Sequence, residues 1–311
     1  ALGKTVVVNC GHGTEARPPY LNSKYKHRSS FRMLIDTYRL RKRAGVIENN
    51  ATIVIGLPCL SHFFSKLLVS REKVGKNVPV SVTQSSPRSN HAGHVQIAHI
   101  PSDPVSKGTD DVRGAIDYVK NRSSGISIGY SEVTGIPNSE VLRVIEKTDI
   151  VVTQMYSDIP WPTTAVEAAA LSALPIVGGL EAPAWFEYVG KGKHLPVYVK
   201  SEDLKKALLF YVQNYEDRRV KAKNLCQFVS RNVSQEEVAR NYIKLLFCEL
   251  SEDWFFESSK IETVNGDGLS RTERRRLLFR YISAFGRRAL MIPNIRRARA
   301  VIKESRYRGE I

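Results

Sequence analysis

The sequence predicts an α/β protein of parallel, doubly wound sheets, divided into two domains and followed by a basic helical tail. Three observations predict this. Between residues 95 and 180, short runs rich in Val and Ile alternate with segments at helical spacing. The resulting order, β-α-β-α-β-α-β, is that of a parallel sheet with crossover helices. The chain has 311 residues, more than one hydrophobic core commonly holds, so two domains are expected. From Ser270 onward, arginines flank apolar positions at helical spacing.

The composition, 42% hydrophobic and 25% charged, is that of a soluble globular protein. No apolar run approaches the roughly 20 residues needed to span a bilayer. Cys10, Cys59, Cys226 and Cys248 are widely spaced and form no CxxC pair, so neither a metal site nor a disulfide framework is expected. Reduced thiols in the cytoplasm are the simplest reading. The net charge of +16 implies a polyanionic partner: anionic lipid, nucleic acid or phosphorylated substrates. The chain opens Ala-Leu-Gly-Lys, with no initiator Met or signal peptide. It reads as a cut or incomplete gene product.

The first domain is expected over 1–85. Thr5-Val6-Val7-Val8-Asn9 is a continuous β-branched run, a buried parallel strand. It leads into Gly11-His12-Gly13-Thr14-Glu15-Ala16-Arg17, at the strand end where open α/β sheets bind ligands. A single histidine is commonly structural, but two flanking glycines make His12 a candidate site residue. A basic helix is expected over 25–45, ending at Gly45, with Phe31, Leu34, Ile35 and Tyr38 as its apolar stripe. Its arginines and Lys42 form a solvated face or a contact for a membrane surface or acidic acceptor. Residues 51–57 read as a strand and 60–69 as a short helix. The polar stretch 78–94 reads as the interdomain linker. Its two histidines, His91 and His94, lack an accompanying acid or cysteine for a metal site.

The second domain is expected over 86–250. A strand at 95–100 is followed by a loop carrying Lys107-Gly108, then by an amphipathic helix at 111–121. A strand at 125–130 precedes a helix that starts at Asn138 or Ser139, either of which can cap it. The stretch 149–179, DIVVTQMYSDIPWPTTAVEAAALSALPIVGG, reads as strand, proline-broken loop, helix and strand. The helix is expected over 165–174, capped by Thr163 or Thr164, with Pro175 ending it. Glu167 then sits in its first turn, beside backbone N–H groups with no internal partner. That is a site for a sugar hydroxyl or a phosphate; a first-turn glutamate also serves merely to offset the helix dipole. A strand at 195–199 and three helices follow, the last opened by Ser234 in a capping-box pattern. Residues 251–311 read as a flexible connector to 270 and then a basic amphipathic tail. That tail either lies at a membrane interface or packs as a helical hairpin.

In this order the segments resemble retaining GT-B glycosyltransferases over about residues 1–250, most specifically over 95–180. The family's donor-site pattern E-A-M-A-x-G-x-P-V-V is matched by Glu167-Ala168-Ala169-Ala170-Leu171-Ser172-Ala173-Leu174-Pro175-Ile176-Val177. Trp161 stands at the family's aromatic. Residues 12–17 resemble its H-G-S-D-x-R loop, with Thr14 for Ser and Glu15 for Asp. The resemblance implies two Rossmann-like domains, the first incomplete because the family's upstream β-α units are missing. It implies transfer of a sugar, of hexosyltransferase type, from a nucleotide-sugar donor to a membrane-associated or glycan acceptor. Retention of configuration and no metal or other cofactor are implied as well.

Carried onto this chain, the resemblance places Lys107 and Gly108 against the donor diphosphate, together with the N–H groups of Thr163 and Thr164. Glu167 falls on the ribose. His12 is the catalytic candidate, with Gly13, Glu15 and Arg17 on the acceptor side. The first acid of the family's spaced pair falls on Ile159, so Gln154 or Asp158 takes its place facing the donor sugar. Pro162 replaces a glycine and removes one N–H for the diphosphate, and Ser102 replaces a frequent arginine. These departures support an alternative: a catalytically degenerate nucleotide-binding or scaffold protein of the same fold. A polyanion binder driven by charge is a third reading, with steep salt dependence. The resemblance and the charge together suggest a cytoplasmic protein, peripheral on the inner face of the membrane.

Overall fold

The structure is a computed structural model that describes residues 5–10, 30–57, 60–61, 63–75, 93–155, 159, 161–178 and 196–257, with isolated positions 272, 275, 276, 279 and 283. The loop holding His12, Gly13, Glu15 and Arg17, the position Asp158, most of the expected linker and nearly all of the basic tail lie outside the described residues. The chain forms two compact units, Ala1–Val74 with Arg240–Ile311 and Gly75–Ala239.

The first unit carries a four-stranded sheet. Its strands are β1 (Val7–Asn9), β2 (Ile53–Gly56), β3 (Leu67–Ser70) and β9 (Phe255–Glu257), in the order β1-β2-β3-β9. The first three are parallel, and β9 runs antiparallel to β3 with Leu68 opposite Phe256. Two expectations change here. Residues 67–70 form a strand, where 60–69 reads as a helix, because Leu68 and Val69 are buried between two neighbouring strands. A short apolar run carries no periodicity that separates a buried strand from a helix. Residues 255–257 likewise leave the expected connector to become an edge strand, anchored by buried Phe256.

Helix α1 (Ser30–Asn50) runs through Gly45 and does not stop there. Ala44 and Glu48 are buried on one face together with Thr37, while Tyr38, expected in the apolar stripe, is exposed. The Glu48 carboxylate receives the N–H groups of Ser65 at 2.5 Å and Lys66 at 2.8 Å. These tertiary bonds outweigh the roughly 1 kcal/mol that glycine costs a helix interior relative to alanine. After β3 comes the short helix α2 (Arg71–Val74).

The second unit holds a five-stranded, wholly parallel sheet of β4 (His94–His99), β5 (Ser127–Glu132), β6 (Ile150–Val152), β7 (Leu174–Gly178) and β8 (Val197–Val199). Its order is β5-β4-β6-β7-β8. The order in which strands are added therefore reverses between β4 and β6, and open α/β sheets bind ligands outside the carboxyl ends of the strands at that switch point. The connecting helices are α3 (Pro104–Lys107), α4 (Thr109–Lys120), α5 (Asn138–Glu146) and α6 (Thr163–Ala170). Then come α7 (Leu204–Gln213), α8 (Tyr215–Asn232) and α9 (Gln235–Leu246). Ile150 and Val152 belong to one apolar cluster with α4, α6, α7 and α8, and Val151 to another with α5 and α6. Successive strand residues face opposite ways, so both faces of the sheet are covered. Arg218, buried in α8, donates to the carbonyls of Tyr211 and Val212 and closes the end of α7.

Ser234 caps α9 as its spacing predicts, its Oγ accepting the N–H of Glu237 at 3.2 Å. The boundary between the units falls within this helix, so residues 240–257, read from sequence as the end of the second domain and a connector, are part of the first unit. Asn9 Nδ2 donates to the Tyr242 hydroxyl at 3.3 Å, and Asn241 donates to the Val74 carbonyl at 3.3 Å. No helix among the described residues is long and apolar enough to cross a membrane.

Two glycines test this packing in opposite directions. A methyl group added at Gly45 meets nothing within 4 Å, so Gly45→Ala is expected to stabilise the protein by about 0.5–1 kcal/mol in urea unfolding. A Cβ at Gly178 falls 2.2 Å from the Cα of Met155 and 2.7 Å from the Gln154 carbonyl. Gly178→Ala is therefore expected to destabilise by about 1–3 kcal/mol in the same measurement.

Candidate functional site

The switch point is built by the segments that leave β4 and β6. Their backbones are joined by the Met155 N–H donating to the Lys107 carbonyl at 3.0 Å. Their side chains are joined as well, the Lys107 ammonium donating to Oε1 of Gln154. Gln154 is only 3% exposed. Its carbonyl accepts the Gly178 N–H at 2.6 Å, carrying the β6–β7 pairing past the last strand residue. Its Nε2 is buried without an acceptor among the described residues. A buried amide donor left unpaired carries the full cost of its desolvation, and a ligand acceptor there would relieve it.

Beneath this pair lies His99, fully buried at the end of β4. Nδ1 lies 2.8 Å from the Val152 carbonyl, which can only accept, so Nδ1 carries the proton. Nε2, 3.0 Å from Oγ1 of Thr109, then accepts the hydroxyl at the start of α4. Burial, the largest influence, holds the His99 pKa below the ordinary histidine range. The imidazole thus stays neutral and ties β4, β6 and α4 together. Before α4, Gly108 is buried with φ of +70°, a turn that glycine makes without strain.

The second part of the site follows β6. Helix α6 begins at Thr163, and Pro162, not a threonine, occupies the N-cap, with no side-chain cap bond. The helix ends at Ala170, and Leu174 and Pro175 belong to β7. Sequence reading places this helix two residues later and longer. Thr163 and Thr164 thus form the first turn, and their N–H groups have no carbonyl within the helix to meet. Glu167 is the fifth helical residue, not a first-turn residue, and it is 2% exposed. The Asn138 amide, at the start of α5, donates to its Oε1 at 2.9 Å. Burial raises the Glu167 pKa above the usual carboxylate range, and the Asn138 bond opposes that shift.

The structure thus joins Lys107 to Gln154, in the segments that leave the carboxyl ends of β4 and β6. Gly108, Thr163, Thr164 and Glu167 stand on the same edge of the sheet, each in a segment that follows one of these strands. Glu167 is bonded to Asn138 and not to Lys107. Trp161 is turned into the core, its ring stacked on Phe228 at 5.7 Å. A cation, a buried carboxylate and helix N–H groups without partners in their own helix, on one strand edge, can hold a phosphate and an adjoining hydroxyl-bearing ring. Two residues escape the sequence reading: His99, an ordinary letter in a strand run, and Asn138, read there only as a cap. The position of Asn138 just after Gly-Ile-Pro, where a strand-end loop becomes a helix, is the one signal that could have marked it.

The chain matches no protein-family profile and no curated protein in sequence. Its backbone is similar to that of several solved proteins. WaaG, a glycosyltransferase involved in lipopolysaccharide biosynthesis, aligns over 78% of this chain and 77% of its own, with 12% identity and a TM-score of 0.46. Anabaena HepE, solved with UDP and glucose, aligns over 78% and 71%, with 14% identity and a TM-score of 0.46. A mutant of S. aureus TarM, solved with fondaparinux, alpha-GlcNAc-glycerol and UDP, aligns over 66% of this chain with 14% identity and a TM-score of 0.45. The chain spans 46% of TarM, less than half its length.

Glu167 has a consequence for stability. Its folded pKa lies above that of the unfolded chain, so the unfolded state loses its proton first as pH rises. Its contribution is therefore most favourable below the ordinary carboxylate range and is lost as pH climbs through the raised folded value. Glu167→Gln keeps an acceptor for Asn138 and has no proton to lose. In urea unfolding it is expected to be more stable than the parent, with a larger gap near neutral pH than at acid pH.

Proposed function

We propose that the chain is a glycosyltransferase that moves a sugar from a nucleotide-sugar donor to a glycan or membrane-associated acceptor, with retention of configuration. The observation that carries this reading is the Lys107–Gln154 pair at the switch point, on the same strand edge as the buried Glu167 of the donor-site pattern. Lys107, with the N–H groups of Thr163 and Thr164, holds the diphosphate. Charge develops on that group as the glycosidic bond breaks, so fixed cationic and N–H donors lower the barrier there. Glu167 accepts hydroxyls of the ribose. Gln154 meets the donor sugar with its unpaired amide, and Asp158 lies further along the same segment. His12 contacts the sugar or the acceptor, with Gly13, Glu15 and Arg17 on the acceptor side. No metal is needed for this division of labour.

Arg39, Arg41, Lys42 and Arg43 are exposed on α1. They favour an anionic acceptor or the headgroups of an anionic membrane, which would keep the protein peripheral on the inner membrane face. The hexosyl specificity of the reading rests on the sequence resemblance. One observation favours binding without turnover: Pro162 at the N-cap of α6 offers no N–H to a diphosphate. Release of sugar from a bound nucleotide sugar separates the two readings.

The test is a thermal-shift and calorimetric screen of the full chain against UDP, GDP, ADP and their sugars. One nucleotide is expected to raise the melting temperature by binding the native state alone. Lys107→Ala is expected to weaken it by about 10- to 100-fold, the worth of a charge-assisted hydrogen bond. Glu167→Gln is expected to weaken it as well while keeping the protein folded. Unchanged affinity in both variants would remove these residues from the site.

A further inference from the structure

Asn138 and Glu167 stand 29 positions apart in sequence and meet across α5 and α6. The contact is one-sided. Oε1 of Glu167 receives the amide, and Oε2 has no hydrogen bond among the described residues. Asn138 is itself exposed, at the first position of α5, and Pro137 rather than Asn138 occupies the N-cap. The residue therefore does not serve the helix it begins. Gly135, with φ of +72°, turns the preceding loop so that α5 starts where it does.

The two influences on the Glu167 charge are burial and Asn138. Glu140, Arg143 and Glu146 on α5 are exposed and do not act on it, nor does any acid or base of α8. Strand β7 carries no charged residue. A single neutral amide thus orients a buried carboxylate that has no cationic partner among the described residues.

We propose that Asn138 is the positioning residue of this site: it pins Oε1 of Glu167 and leaves Oε2 turned to a hydroxyl of the bound nucleotide. The proposal rests on the nucleotide-sugar reading. A carboxylate accepts hydroxyls well only when ionised and held in place. Removing the amide frees the carboxylate to rotate and favours its protonated form. Asn138 never touches the reacting atoms; it acts through Glu167.

Two substitutions test this in the full chain. Asn138→Ala deletes the amide. Asn138→Asp keeps its shape, replaces the donor with a negative charge, and sits where an acid favours the helix N-terminus, so folding is retained. UDP, GDP and ADP affinities are measured by calorimetry from about pH 5 to about pH 8, and the Glu167 carboxyl is titrated by carbon NMR without ligand. Both variants are expected to weaken the nucleotide that binds by about tenfold at neutral pH. Both are expected to shift the acid limb of the affinity profile to higher pH and to raise the midpoint of the Glu167 titration, Asp more than Ala. A merely structural asparagine would move neither. An unmoved titration in Asn138→Ala overturns the proposal. So does affinity within about twofold of the parent in both variants when Glu167→Gln binds poorly. If the unsubstituted chain binds none of the three nucleotides, the nucleotide-sugar reading fails and the role of Asn138 falls with it. That case is recognised from the parent alone.

Discussion

The second unit depends on the bonds made by His99. β4 and β6 are neighbours in the sheet but lie far apart in sequence, with His99 paired to Val152 in register. A neutral imidazole donates from one nitrogen and accepts at the other, so it can bridge a carbonyl and a hydroxyl with no net charge to bury. Here it bridges the last residue of β6 and the first residue of α4. The Lys107–Gln154 pair at the switch point follows directly on these contacts. Lys107 and Gln154 can meet because the strands and the helix beneath them are tied. Protonation of His99 would place a second donor against a hydroxyl in a fully buried site and leave a cation without a partner. Burial keeps its folded pKa below that of the unfolded chain, so its contribution to stability is lost as pH falls through the ordinary histidine range.

The site itself departs from what folding alone would choose. Glu167 is a buried carboxylate among alanines, balanced by one neutral amide. Gln154 buries an amide whose Nε2 is unpaired among the described residues. A core of this kind would be more stable with apolar residues at both positions. Polar groups left partly unsatisfied on the carboxyl edge of a parallel sheet are what a binding site requires, since a ligand completes them. The surrounding scaffold compensates with dense apolar packing on both faces of the sheet and with Gly178, whose missing side chain lets β7 lie directly against the Gln154–Met155 backbone.

The first unit follows different constraints. Its three parallel strands are completed by β9, which comes from beyond the second unit in sequence and runs antiparallel. Helix α9 brings the chain back, its Leu245 buried with Ile55, Val69 and Val74. α1 is held less by helix propensity than by Glu48, whose carboxylate gathers the backbone N–H groups that lead into β3.

The α/β class, the parallel order of the second sheet and the segment holding Glu167 are legible in the sequence. In the second unit, β-branched runs and helical stripes coincide with the buried residues, and burial is what local patterning encodes. Glu167 is legible as a candidate because it is the one charge in an alanine-rich helix, and Lys107 and Gly108 through the resemblance of their segment to a GT-B donor domain. What the tertiary structure alone decided concerns partners far apart in the chain. The strand at 67–70, the continuation of α1 past Gly45, the early start of α6 and the return of β9 each depend on a neighbour that no short window contains. The pairing of Asn138 with Glu167 and of Lys107 with Gln154 is of the same kind. A hydrogen bond needs two groups within about 3 Å, and only the folded chain sets that distance.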